Sequence, residues 1–314
     1  LGQGLFFGLG GYCMGMHLKI VDAGAGQLPD ILTYSGKYDS LPALWKPFSS
    51  AWFAIPMAIL LPMAIAALLG AAVFRQRIRG AYFAILSQAL AGAFVIVIVG
   101  NNALTGGTNG LTNFQSFFGL SVSDPADQKI LYFIVVIVLL LVFLATRELV
   151  LGRYGRVLIA VRDDEDRVRF LGYDPTRIKL VAYVLAAGMA GLAGALFVPV
   201  VGIISPALLG IVPSIEMVIW VALGGRSVLA WAAAGAVIVN SARSSVSEQF
   251  PSTWLYLQGL LFVVVILFLP HGIAGAVGHL RRLASRVPLP GGRRVAAAAA
   301  PAPSHLPPRS NEVV

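Results

Sequence analysis

The chain has 314 residues, 58% of them hydrophobic and 12% charged, with a formal net charge of +9. A soluble domain carries about a quarter of its residues as charged groups, so an ordinary soluble protein is excluded. Its cations form short clusters beside apolar runs, which suits membrane loops rather than nucleic acid, and with Cys13 the single cysteine there is no internal disulfide and no cysteine-built metal site.

The chain opens at Leu1 inside an apolar stretch, without methionine or a basic n-region. This is not a secretory signal peptide, and one or two further helices are expected upstream. Gly4, Gly8, Gly11 and Gly15 recur at spacings of three and four, a small-residue face that lets helix backbones approach closely. Cys13, within the same stretch, reads as a packed small residue. Uncharged runs then span 51–74 and 81–100, separated by Arg75, Arg77 and Arg79. Each is long enough to cross a hydrocarbon core of about 30 Å as helix. The loop 101–129 has no arginine and holds Gly106-Gly107-Thr108-Asn109-Gly110, which lacks the Lys-Ser/Thr ending of a phosphate loop.

Next comes the run 130–146, followed by a loop, 147–179, with eight basic residues. The run 180–201 contains a second small-residue face, 187–195. The stretch 201–212 is uncharged but interrupted by Gly202, Pro206 and Gly210. Two short segments, 213–223 and 228–241, are joined by Gly224-Gly225-Arg226-Ser227, and 254–270 is the last apolar run. Broken segments at membrane depth border protein or a water-filled cavity, so 201–241 reads as a pathway or as a tilted hairpin. The expected fold is an all-α polytopic transmembrane bundle of about eight membrane segments. A membrane domain covers 1–280, and 281–314 is a basic, then Pro/Ala-rich, disordered tail. Alternating the segments from Arg75–Arg79 as cytoplasmic puts 147–179 and the C-terminus inside a cell membrane, 101–129 outside, and only Arg243 against the pattern.

The spanning segments are expected to lack mid-helix Asp, Lys, Arg or His. Glu216 is the one acid, placed in the first turn of a helix starting near Pro213, where the dipole favours it and where a transport role is open. His17, His271, His279 and His305 show no metal spacing, and no serine lies in a Gly-x-Ser-x-Gly setting. Energy must therefore come from another subunit, or the protein is a passive pore. In the basic loop, Asp163 is a good N-cap, Asp164, Glu165 and Asp166 suit a first turn, and Gly172 suits C′. Val168 and Leu171 share a face flanked by Arg167 and Arg169. Such a helix docks in a groove on a soluble partner or lies on the membrane surface.

The segments 155–163, Phe170-Leu171-Gly172-Tyr173, Lys179 and 190–196 resemble the branched-chain amino acid permease family of ATP-binding-cassette (ABC) importers. The likeness runs from Leu1 to Ile273. Within that family, 214–226, 168–173, 106–112 and Phe268-Leu269-Pro270 are closer to urea-transporting members. The resemblance implies an ABC permease fold whose loop couples to an ATPase through Arg156, Ala160, Arg162, Asp163, Asp164, Glu165, Arg167, Leu171 and Gly172. It also implies a homologous second permease, two cytoplasmic ATPases carrying ATP and magnesium, and an extracytoplasmic binding protein. No cofactor, catalytic site or nucleic acid is expected for this chain itself. A urea route should offer hydrogen bonds without fixed charge, and Asn101, Asn102, Thr105, Thr108, Asn109 and Glu216 are its candidates, with Gln88 and Asn240 nearby. Branched-chain amino acids are the alternative cargo, a passive channel is an alternative of another class, and an intramembrane enzyme lacks any supporting constellation.

Overall fold

The computed structural model describes residues 2–24, 26–76, 80–225, 228–249, 254–268 and 272–275. The expected tail, Arg77, Arg79, Arg226, His271, His279 and His305 lie outside the described residues. In chain order the helices are α1 (Gln3–Ala23), α2 (Asp30–Ser35), α3 (Ala51–Arg75), α4 (Ala81–Gly100), α5 (Asn102–Thr105) and α6 (Pro125–Leu151). They continue with α7 (Arg153–Asp163), α8 (Glu165–Phe170), α9 (Pro175–Val201), α10 (Ile211–Gly224), α11 (Leu229–Gln249) and α12 (Trp254–Phe268). The strands are two-residue pieces, β1 (Leu111–Thr112), β2 (Ser116–Phe117), β3 (Leu120–Ser121) and β4 (Ile203–Ile204). β1 pairs antiparallel with β4, Leu111 opposite Ile204, and β2 pairs with β3.

Among the described residues five helices, α1, α3, α4, α6 and α9, are long and apolar enough to cross a membrane. Backbone groups in lipid must be satisfied within their own segment, and helix does this for uncharged runs of this length. Their ends are set by local chemistry. The Asp124 carboxylate accepts from the Ala126 N–H (3.0 Å) ahead of Pro125, and Asp174 does the same for Thr176 (2.9 Å) ahead of Pro175. Proline at N1 loses nothing, because that N–H has no helical partner. Gly202, at φ +76°, closes α9 in the left-handed region.

The bundle is built around α1. Its apolar window is 78% buried, against 6% for α6 at the periphery. Small residues make this possible. A Cβ on Gly10 would overlap the Gly191 carbonyl of α9, one on Gly194 the Phe7 carbonyl of α1, and one on Gly191 the Ala58 carbonyl of α3. Three helices therefore touch backbone to backbone. The second glycine face of α1 receives the chain that follows α9: Gly4 meets Ser214, Gly8 meets Leu209, and Gly11 and Gly15 meet Ile204. Both small-residue faces are thus packing faces.

Three expectations are corrected. First, α1 extends to Ala23 and carries His17 and Lys19, both buried, and Asp22. The loops 24–50 and 101–124 fold over this end and supply partners. His17 Nδ1 donates to the Phe48 carbonyl (2.7 Å) and Lys19 Nζ to the Asn113 carbonyl (3.2 Å). Asp22 accepts from the Gln115 and Ser116 N–H groups (2.8 and 3.0 Å) and the Ser116 hydroxyl (2.6 Å). Second, α10 starts at Ile211, after a 3-10 turn at Pro206–Leu209, so Glu216 sits in the second turn, where an end-dipole argument no longer holds. Third, α11 runs on to Gln249 and contains Arg243 within the helix. The α10–α11 pair, with 226–227 outside the described residues, changes direction by 119°. It doubles back as a hairpin and does not continue as one straight span.

Gly194→Ala should strongly destabilise the bundle, by about 1–3 kcal/mol or more from overpacking against a carbonyl that cannot move aside. Gly92→Ala, where nothing lies within 4 Å of the added methyl, should be neutral or slightly stabilising. Thermal unfolding of the two variants in detergent is the comparison; equal behaviour would contradict the packing described.

Candidate functional site

The bundle has two chemically different ends. The loop-rich end gathers 24–50, 101–124 and β4, while the arginine-rich end gathers Arg75 and 147–174. The packing of Phe74 edge-on to Tyr183 of α9 (5.9 Å between centroids) brings Arg75 to the same end as the 147–174 loop.

At the arginine-rich end the helix expected from Asp163 is α8, capped one residue later, and a separate helix, α7, precedes it. α7 carries Arg156, Ala160, Arg162 and Asp163, all exposed, and Asp163 is its last residue. The break falls one residue later: Asp164 is the N-cap of α8, its carboxylate accepting from the Asp166 and Arg167 N–H groups (3.1 and 3.2 Å). Arg162 and Asp163 instead pair side by side (2.9 Å). α8 ends as expected at Gly172, φ +86°. Its N–H donates to the Arg169 carbonyl (3.0 Å) and the Tyr173 N–H to the Val168 carbonyl (3.3 Å), the paired bonds of a Schellman ending.

A helix of six residues is too short to hold itself together in water, so its anchoring matters. Glu165 accepts from Lys179 Nζ at the start of α9 (2.6 Å), with the Glu165 side chain only 15% exposed. Arg169 pairs with Asp166 (3.1 Å) and Arg167 with Asp164 (2.8 Å). Val168 is buried, facing the bundle. α7 is tied down separately: the Tyr154 hydroxyl donates to the Ile178 carbonyl (2.7 Å), and burial raises that phenol above its ordinary pKa. A Cβ on Gly155 would overlap the Val150 carbonyl, which holds α7 against the end of α6. The exposed tip at the end of α8 is apolar. Phe170 is 91% exposed and Leu171 75%. Phe170 was not among the expected contact residues; its place beside Leu171, just before the terminating glycine, was the available signal.

At the loop-rich end, Asn101, Asn102 and Asn109 line one cleft of about 650 Å³ with Ile31, Tyr34, Lys37 and Tyr38. Thr105 does not line it. Its hydroxyl turns back to the Ile98 and Asn101 carbonyls (2.6 and 2.9 Å) and closes the end of α4. Thr108 is exposed beside the cleft. The glycines of this loop serve a turn: Gly106, Gly107 and Gly110 have φ of +79°, +57° and +72°. A Cβ on Gly110 would overlap the Ile204 carbonyl, so only glycine lets this loop reach β4. The aromatic wall from 31–38 was missed because that segment has neither an apolar run nor a charge cluster.

Glu216 is not part of that cleft. Its carboxylate accepts from Arg243 Nη1 of α11 (3.0 Å), the acid 14% and the arginine 48% exposed. A charge at membrane depth needs such a partner, so the pair links α10 to α11. Asn240, on the same helix, bonds its own backbone at Ala236 (2.8 Å).

Comparison with known proteins agrees with this architecture. Residues 1–269 match the family described as branched-chain amino acid transport system / permease component. The chain is 31% identical over 245 residues to the high-affinity branched-chain amino acid transport system permease protein LivM of Salmonella typhimurium, covering 71% of this chain and 57% of that protein. LivM of Escherichia coli is 30% identical over the same length and shares. LivH of Salmonella typhimurium is 27% identical over 167 residues, 52% of this chain and 54% of that protein. The chain thus spans 57% of the length of the LivM relatives it matches. No solved structure matches it significantly. With a family match running from the first residue through α12, this chain belongs to the branched-chain amino acid transport system permease family.

Proposed function

We propose that the chain is a membrane-spanning permease subunit of an ATP-driven importer and that α7–α8 is the surface an ATPase grips. The observation that carries this reading is the exposed Phe170–Leu171 tip on a helix otherwise fixed to the bundle by Lys179–Glu165 and the Asp164 cap. An apolar tip on a rigid mount transmits force in both directions, whereas a loosely tethered one would only bind. ATP and magnesium belong to the partner ATPases in this scheme. A second homologous permease and an extracytoplasmic binding protein complete the assembly. ATP-driven closure of the ATPases pulls on α8 and, through Lys179, on α9, which lies against α1 at the glycine contacts.

For the cargo, the names of the LivM relatives favour a branched-chain amino acid. Urea is the second reading, favoured by the likeness of 214–226 and 106–112 to urea-transporting members. The two separate by uptake of labelled leucine and labelled urea into proteoliposomes holding the whole importer. ATP-dependent accumulation of one and not the other decides between them, and equal uptake without ATP would instead establish a passive channel.

Replacing Phe170 and Leu171 together by alanine should weaken ATPase association by about 2 kcal/mol, roughly 30-fold, as for a buried interface anchor. Membrane insertion should be unchanged, and co-purification of the ATPase reads the effect. Glu165→Ala should leave the tip intact but loosen its mount. We expect ATP hydrolysis to continue while uptake per ATP falls by several-fold, about the effect of losing one partly buried charged hydrogen bond. Normal uptake in both variants would remove α8 from the coupling route.

A further inference from the structure

The first turn of α1, α4, α9 and the start of α10 converge at one level of the bundle. A Cβ on Gly2 would lie 2.9 Å from Ser87 Cβ of α4, and the Gly4 N–H donates to Ser214 Oγ of α10 (3.1 Å). Tyr183 of α9 packs its ring against Phe6 and Phe83 (5.6 and 5.5 Å between centroids). Its hydroxyl faces Ser87 without forming a well-shaped hydrogen bond. Ser87 lies six residues into α4, about 9 Å from the arginine-rich end of a helix about 30 Å long, so this level is within the hydrocarbon region.

The polar residues at these contacts, Ser87, Tyr183 and Ser214, carry no charge, and neither do Gln3, which follows Gly2 on α1, and Gln88, which follows Ser87 on α4. The two serines satisfy themselves on their own helices, at the Phe83 and Gly210 carbonyls (2.8 and 3.2 Å). The glutamines do not. Both amide atoms of Gln88 and Oε1 of Gln3 are buried and meet no hydrogen-bond partner among the described residues. A glutamine serves a helix contact in lipid by hydrogen-bonding across it, and these amide atoms form no such bond, which at this depth is a net cost. Packing therefore does not explain them. Binding does: a carboxamide offers a donor and an acceptor together, suited to a solute with the same pair of groups and no net charge.

We propose that Gln88 and Gln3, with Ser87 and Ser214 beside them, form the selective constriction of the transport route, and that it passes net-neutral, hydrogen-bonding organic solutes and rejects ions. An amino acid zwitterion and urea both meet that description. The inference rests on the importer reading. It places the selective step beside the segment 203–214, which re-enters the bundle from β4 at the loop-rich end and starts α10 near the level of Gly4, as discontinuous transporter helices do.

The test uses the complete importer in proteoliposomes, with labelled leucine and urea as cargo, and measures ATP-driven uptake, ATP hydrolysis and thermal unfolding. Gln88→Met keeps length and removes both polar groups; the double variant adds Gln3→Met. Uptake should fall by about tenfold or more in Gln88→Met, with basal hydrolysis unchanged and the melting temperature equal or higher, because a buried unpaired amide is gone. Unchanged uptake in the double variant would overturn the constriction while leaving the importer reading standing. Uptake lost together with thermal stability would make these glutamines structural and would overturn it equally. A wild-type assembly with no ATP-dependent uptake of either cargo would remove the importer reading itself.

Discussion

The contact of α1 with α9 and α3 is the interaction on which the rest depends. In lipid there is no hydrophobic gain in bringing two apolar helices together, so association relies on close van der Waals packing. Gly10, Gly191 and Gly194 remove the side chains that would hold the backbones apart. With α1 enclosed on that side, its other glycine face is free to seat irregular chain. The 3-10 turn at Pro206–Leu209 and the extended pair at Ile203–Ile204 lie along Gly8, Gly11 and Gly15. Such backbone could not face lipid, because its N–H and C=O groups need partners. Pairing of β4 with β1 and the Gly4–Ser214 bond supply some of them. The broken helix exists because the glycine stripe gives it a protein wall.

The same enclosure explains how the two ends of the bundle could be mechanically connected. α9 is held backbone-tight to α1 in the membrane, and its second turn begins with Lys179, which grips Glu165 of α8. A displacement of α8 has a short, stiff path into the packed core, where side chains have little room to absorb strain. At the opposite end, Lys19 and Asp22 of α1 hold the loops that wall the Asn101–Asn102–Asn109 cleft. α1 is therefore joined directly to the loops of the cleft and, by way of α9, to α8.

Much of this was legible from the residues. The apolar runs announced the spanning helices, since a bilayer demands long uncharged helix and little else competes for that pattern. Gly172 as a helix terminator and the small-residue faces were readable for a similar reason: only glycine satisfies φ +86° or a carbonyl in direct contact. Less was legible where polar residues had a choice of partner. Asp163 and Asp164 are equally good caps on paper, and the structure uses Asp164. Thr105 and Asn109 are both small polar residues of one loop, yet the first bonds its own helix and the second lines the cleft.

The sequence by itself determined the class of protein, the positions of the long helices α3, α4, α6 and α9, and which end is rich in arginine. These follow from local quantities, namely hydropathy, charge and the conformational demands of glycine and proline. Only the tertiary structure decided that Glu216 pairs with Arg243, that α7 and α8 are separate, and that buried amide atoms of Gln3 and Gln88 find no partner among the described residues. A polar side chain's role is set by what lies within about 3 Å of it, and in this fold those neighbours come from helices far apart in the chain.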